Sequence, residues 1–310
     1  MGSFQLASRA SVLVALIGIG GCQLSWWNDP PPPPGILGTP GPQPSPTAAP
    51  EQLRSEILSQ LTSGPYATLF NARLINDGIG IFAITDTLPT KGVRRWGRDY
   101  QTPSNEDVLE VTASVSLKIG MPKLAKIVFE RPLSGSWLGD FPWRKQLVKK
   151  PMQETLQRTA LLEQDDSGHW AIRQISVAVQ RSTVTSVDIY SVTLRSARST
   201  NSIEYHKELQ ATDQLLAALP GEAIAVTVIA NTASSSVYLY LGGNRRQILP
   251  YLGSDQRGAR FSGQLIFPGG PPGPDQIGID LVASSTLENP GSAYDATIWG
   301  VPVLRQGGEL

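Results

Sequence analysis

Residues 151–176 read PMQETLQRTALLEQDDSGHWAIRQIS, and this stretch decides the architecture. Leu156, Ala160 and Leu162 occupy one face of a strand in which polar residues fill the other, the two-residue period of a half-buried strand. Asp165-Asp166-Ser167-Gly168 is a tight-turn signal, because short acidic side chains bond their own backbone and glycine admits a left-handed conformation. Trp170 to Ile175 resumes as a further strand and extends to Val179. The reading is therefore a hairpin with one apolar face.

Upstream, Val111, Ala113, Val115, Leu117 and Ile119 alternate with polar residues, Gly120-Met121-Pro122 turns the chain, and Ala125, Ile127 and Phe129 mark another strand. Before them, Glu51 to Leu61 places Leu53, Ile57, Leu58 and Leu61 at helical spacing, and Thr62-Ser63-Gly64-Pro65 stops that helix. One helix followed by a meander of strands predicts an α+β domain over 51–195, a helix packed on a curved antiparallel sheet. The hairpin at 151–176, with its acidic-glycine turn and Trp-x-Ile strand, resembles the closing hairpin of the nuclear-transport-factor-2-like, or cystatin-like cone, superfamily. That resemblance implies a cone with an interior pocket. The chain departs from the pattern in showing one N-terminal helix where the cone has two or three.

Downstream, Val187 to Leu194 reads as a fifth strand, and 196–219 reads as a polar, then weakly helical, connection. From Pro220 the pattern changes to short alternating runs: Ile224 to Ala230, Val237 to Leu241, Phe261 to Phe267, Ile277 to Ala283 and Ile298 to Val303. Asn231-Thr232, Gly242-Gly243-Asn244 and Gly269 to Pro274 punctuate them, which predicts an all-β sandwich over 220–306. Pro302 places its strand at an edge. The Pro-Gly turn followed by the 272–283 strand resembles an immunoglobulin-like module of bacterial envelope proteins, without a disulfide pair.

The N-terminus reads as an address. Ala10 to Ile19 is an apolar run too short to span a bilayer, which needs about 20 residues, and it has the length of a signal-peptide core. It ends in Ile19-Gly20-Gly21-Cys22, and Cys22 is the only cysteine in 310 residues. This sequence resembles the bacterial lipobox, which implies a signal peptide at 1–21 and lipidation at Cys22. Gln23, rather than aspartate, follows the cysteine, so the resemblance implies the periplasmic face of the outer membrane where two membranes exist. Residues 22–50 form a proline-rich linker with ten of the chain's 25 prolines between Pro30 and Pro50. Such a stretch is expected to be disordered or polyproline II, reaching on the order of 85 Å. It serves as a spacer, and the run Pro30 to Pro34 also fits a proline-recognition ligand. Trp26 and Trp27 are expected at the membrane interface, where indole rings favour the headgroup zone.

Composition narrows the chemistry. Twenty-six basic residues balance 26 acidic ones, so no global field draws in nucleic acid. The two histidines, His169 and His206, have no metal-ligand spacing, and no nucleophile elbow, P-loop or dinucleotide fingerprint occurs. No cofactor, metal or catalytic residue is assigned. Asp77, Asp86, Asp99 and Glu110 are the carboxylates that a cone pocket would need to hold as a base, and Asp165, Asp166 and Asp255 read as turn residues.

One local field stands out. Between Lys118 and Lys150 eight basic residues face two acidic ones, an excess of six, with Phe129, Trp137, Phe141 and Trp143 interleaved. Lys123, Lys126, Arg131, Trp137, Phe141, Trp143, Arg144 and Lys145 form the candidate contact patch, suited to an envelope protein or an anionic envelope polymer. The sequence thus predicts a lipid-anchored, non-catalytic binding or structural module of the bacterial envelope. The alternative is a cone domain that holds a small apolar ligand or acts as a hydrolase or isomerase.

Overall fold

The computed structural model describes residues 51–70, 74, 92–101, 110–116, 123–240 and 246–307, with Glu51, Gln52, Arg54, 110–116 and Lys123 described by their backbone. Two helices come first, α1 (Glu51–Ser63) and α2 (Ala67–Phe70). The first strands are β1 (Arg95–Tyr100), β2 (Glu110–Ser116), β3 (Lys123–Asp140), β4 (Val148–Gln164), β5 (Trp170–Ile175) and β6 (Ala178–Ser182). Then follow β7 (Ile189–Ser196), β8 (Ile203–Tyr205), β9 (Gln210–Ala211), β10 (Leu216–Ala218), β11 (Ala223–Ala230) and β12 (Ser235–Tyr240). The last are β13 (Arg246–Leu249), β14 (Tyr251–Asp255), β15 (Gly258–Ile266), β16 (Gly273–Ala283), α3 (Ser284–Glu288) and β17 (Ala296–Arg305). The protein is mostly β, and the expected strands at 125–129, 156–162, 170–175, 224–230 and 277–283 are present. The tether, Cys22, Trp26, Trp27, Asp77 and Asp86 lie outside the described residues.

β3 and β4 form the spine. They pair antiparallel from Lys123↔Gln164 to Gly139↔Val148. β4 alternates as its sequence dictates, with Met152, Leu156, Ala160 and Leu162 buried and Gln153, Thr155 and Gln157 exposed. The strands fork as they run. β3 pairs β2 over Leu124–Glu130 and β1 over Gly135–Asp140. β4 pairs β6 over Glu154–Gln157 and β5 over Ala160–Gln164. β17 pairs β6 over Thr297–Gly300 and β10 over Val303–Arg305. Pro132, Pro151 and Pro302 fall where one flank of their strand has no ladder partner, so none deprives a ladder of a donor. β17 is therefore not the edge strand that Pro302 implied, but lies between β6 and β16.

The larger sheet runs β1-β3-β4-β6-β17-β16-β12-β13, and a second runs β14-β15-β11-β7-β8. Pro250 joins β13 to β14 and so carries the chain from one sheet to the other. Strand pairing crosses the line drawn at 196–219. β6 pairs β17 in one sheet and β7 pairs β11 in the other, within a compact unit of Ser45–Leu310. The 196–219 segment is helical only over a single 3-10 turn at Thr212–Gln214. It holds β8, β9 and β10, because Leu215, Leu216 and Ala218 are buried and β10 extends the ladder of β17. The expected single helix is two, since the chain resumes at α2 and buries Leu69 and Phe70, the latter edge-on to Phe129.

Two buried arginines lock this arrangement. Arg158 sits where β4 passes from β6 to β5, and donates to the Leu69 carbonyl of α2, to Gln276 Oε1 of β16 (3.0 Å) and to the Gly300 carbonyl of β17 (2.8 Å). None of these acceptors is a carboxylate, and burial pulls its guanidinium down to about 9. Arg98 of β1, 1% exposed, forms a fork with Asp280 of β16 at 2.7 and 2.9 Å. Its Nε donates to Tyr294 Oη (2.7 Å), and Tyr294 donates in turn to Glu154 of β4 (2.6 Å). Tyr100 and Gln180 also donate to Glu154. Burial, the largest single influence, would lower the Arg98 pKa, but the Asp280 charge together with Tyr294, Tyr100 and Tyr240 outweighs it and raises the pKa well above the ordinary value.

Removing Arg98 strands a charge in the core. Arg98→Met is expected to lower the unfolding free energy by about 3–5 kcal/mol, and Arg98→Met with Asp280→Leu to recover part of the loss, because Glu154, 4.0 Å from Arg98, still loses its cation. Urea denaturation of the three proteins checks this, and a double variant no more stable than the single one would contradict it.

Candidate contact site

The connection from β3 to β4 spans residues 141–147. Its base is a row of rings. Trp96 stacks on Trp137 (6.2 Å between centroids), Trp137 meets Phe141 (6.3 Å), and Phe141 meets Trp143 (5.3 Å). Trp96, Trp137 and Phe141 are fully buried, and Arg246 covers Trp96 at 3.7 Å. Lys150, also buried, lies 4.9 Å from the Trp137 centroid. Its ammonium donates to the carbonyls of Thr286 and Asn289 at 2.8 Å and to Ser292 Oγ at 3.0 Å, around the end of α3.

Above this base the loop turns on a hydrogen bond from Arg144 N to the Phe141 carbonyl (3.0 Å). Residues 142–147 are exposed, with Trp143 at 57% and Leu147 at 51%. Arg144, Lys145 and Lys149 are exposed beside them. Asp140, at the foot, is held by Arg94 (3.3 Å) and Arg95 (3.1 Å). Burial pushes its carboxyl up, and the hydrogen bonds from Arg95 and Arg94 outweigh that and hold it below the ordinary carboxylate range.

The sequence-predicted patch is divided by the fold. Trp143, Arg144 and Lys145 come together in the loop. Trp137 and Phe141 do not join them as contact residues. The β3 alternation turns Trp137 inward, and Phe141 folds beneath the loop into the core. Lys126 is exposed on β3, and Arg131 is half-buried over the Phe129 ring at 5.6 Å. Arg131 stands nine residues before Asp140, about 30 Å along the strand, so neither belongs to the loop cluster. Lys123 is described by its backbone alone. Sequence reasoning missed Leu147, Arg94 and Arg95. The two arginines arrive through the β1–β3 pairing, in which Arg95 faces Asp140, and no local pattern announces that pairing.

Elsewhere, a hollow of about 320 Å³ lies between the end of α1 and the β4–β5 hairpin, lined by Leu61, Pro65, Tyr66, Leu162, Trp170 and Ile172 among others. Tyr66 also borders a second hollow of about 240 Å³, beside Leu69, Ile175, Leu215 and Leu304. His169, at the rim of the first, is exposed in a turn that Asp165 organises by accepting from Ser167 N and His169 N. His206 and Asp255 are exposed, and Asp99 is half-buried on β1. Among the described residues no group of three His, Cys, Asp or Glu side chains is placed to hold a metal ion, and no helix is long and apolar enough to cross a membrane. The buried carboxylates Glu154 and Asp280 are sealed from solvent. No family model, curated protein or solved structure matches the chain.

Lys150 supplies a pH test of the loop base. Burial pulls its ammonium from 10.5 down to about 8. Between those values the unfolded chain holds a proton that the folded chain has released, so this residue's contribution makes stability rise with pH across that window. The stability difference between wild type and Lys150→Met is expected to shift in favour of wild type from pH 8 to 9.5. Thermal unfolding of both proteins in matched buffers measures it, and parallel curves would contradict it.

Proposed function

We propose that the protein is a lipid-anchored, non-catalytic module of the bacterial envelope that presents the 141–149 loop to an envelope component. The observation that carries this reading is the loop itself. Trp143 and Leu147 stand exposed among Arg144, Lys145 and Lys149 with no acidic residue between 141 and 149, on a base of buried rings. The lipobox-like Ile19-Gly20-Gly21-Cys22, Trp26 and Trp27, and the proline linker supply attachment and reach. On this reading the anchor is the diacylated Cys22, the site is the periplasmic face of the outer membrane where two membranes exist, and the partner is an envelope protein or anionic polymer. The two separate sheets, one with β11 between β15 and β7 and the other with β16 between β12 and β17, support an immunoglobulin-like sandwich for 220–306, although β7 comes from before it. The curled β3–β4–β5 sheet with α1 and α2 at its side supports the cone-like reading of 51–195.

Metabolic labelling with a palmitate analogue is expected to mark wild type and leave Cys22→Ala unlabelled. Equal labelling of both would end the anchor reading.

The hollow bordered by Leu61, Tyr66, Leu162 and Trp170 favours a second reading, in which the body holds a small apolar ligand. Native mass spectrometry of the purified chain would then show the added mass of a small apolar molecule that Leu162→Trp, which fills the hollow, removes. A bare mass for both proteins would reject this reading.

A further inference from the structure

We infer that the 141–149 loop docks the folded body on a bilayer of anionic lipids, with Trp143 and Leu147 entering the headgroup zone and Arg144, Lys145 and Lys149 meeting lipid phosphates. This inference rests on the proposed function's claim that the loop is a contact surface, and takes the envelope component that the loop meets to be lipid rather than the protein or polymer.

Three observations select a lipid surface. First, the exposed apolar residues Trp143 and Leu147 are interspersed with the exposed cations Arg144, Lys145 and Lys149 over seven residues rather than separating into an apolar centre and a charged rim. Protein–protein interfaces deplete lysine from their buried cores, whereas an interfacial membrane segment places Trp and Leu beside Lys and Arg. Second, the loop carries no acid of its own between 141 and 149, and Asp140 at its foot is engaged by Arg94 and Arg95. Third, the wedge is preformed. The Phe141 ring supports Trp143, the Arg144–Phe141 hydrogen bond closes the turn, and Trp137 and Lys150 hold the base. Docking therefore orders little that is not ordered already.

The test uses the polypeptide from residue 22 with Cys22→Ser, which lacks the acyl anchor. The described elements begin with α1 at Glu51, so all of them are retained. Sedimentation with phosphatidylcholine–phosphatidylglycerol vesicles is expected to carry down this protein, and vesicles of phosphatidylcholine alone to leave it in solution. Arg144→Gln with Lys145→Gln is expected to weaken the partition about tenfold or more and to flatten its salt dependence. Trp143→Ser with Leu147→Ser is expected to weaken it about tenfold. Arg195→Gln, an exposed arginine on the second sheet, is expected to change nothing. All these positions are exposed, so unaltered thermal unfolding separates lost binding from lost folding. No preference for anionic vesicles, or equal partition of the loop variants, would overturn the inference. Capture by soluble polyglutamate in place of vesicles would assign the loop to an acidic polymer and overturn it equally. Palmitate labelling reads Cys22 alone, so failure of the loop leaves the anchor standing, and the reverse.

Discussion

The Arg98 guanidinium is taken out of water against an anion that lies 182 residues away, at Asp280. The cost of burying an unmatched charge is several kcal/mol, so the native placement of β1 depends on that of β16. Glu154, on the central β4, enters through Tyr294, and Tyr100 returns to it from β1. Strands from the beginning, middle and end of the folded chain are thereby set in a single register. A slip of one residue in β1 would turn Arg98 to the outer face and leave Asp280 bare. The same register sets Arg95 against Asp140, so the electrostatics of the loop foot follow from an ion pair buried in the interior.

Arg158 solves a different problem. Where β4 leaves β6 for β5, the sheet opens, and carbonyls at the opening lose ladder partners. One planar donor group reaches α2, β16 and β17 together, a span that a lysine, with its point-like ammonium, would bridge poorly. The prolines follow the same logic from the other side. Pro132, Pro151 and Pro302 occupy positions where a missing N–H withdraws nothing. A curled sheet with forks thus needs both a long-reaching donor inside and residues without donors at its gaps.

The sequence made the strands legible and left their partners hidden. Period-two alternation marks β4, β11 and β16 because each has one dry face or two. No local pattern reveals that β6 lies beside β17, since that neighbour is fixed by Arg98, Asp280 and the shared core rather than by adjacent residues. The split at 196–219 failed to register β10 because three residues make too short a period to read. The candidate site was half legible for a related reason. Residues 134–143 look like a loop, with glycine at 135 and 139 and proline at 142. In the fold, a side chain at Gly135 would strike the Asp99 carbonyl of β1, and one at Gly139 would strike the Trp137 ring. Those glycines are the marks of close strand and ring packing, so β3 continues to Asp140 and Trp137 goes inward. Trp143, beyond the strand end, escapes that alternation and stays exposed.

Lys149 and Lys150 show how the spine divides labour between support and contact. They are chemically identical neighbours on β4, and the strand period sends one to each face. Lys150, under Trp137, spends its three donors on the end of α3 and is unavailable to any partner. Lys149 points to solvent beside Arg144 and Lys145. Exchanging their roles would require β4 to slip by one residue, which the Glu154 and Arg158 contacts forbid. The cationic face of the loop is therefore held by the same buried polar contacts that close the core. A partner meeting Trp143 and Leu147 meets a surface whose charge positions are set before contact, and the favourable part of that encounter is spent little on ordering the loop.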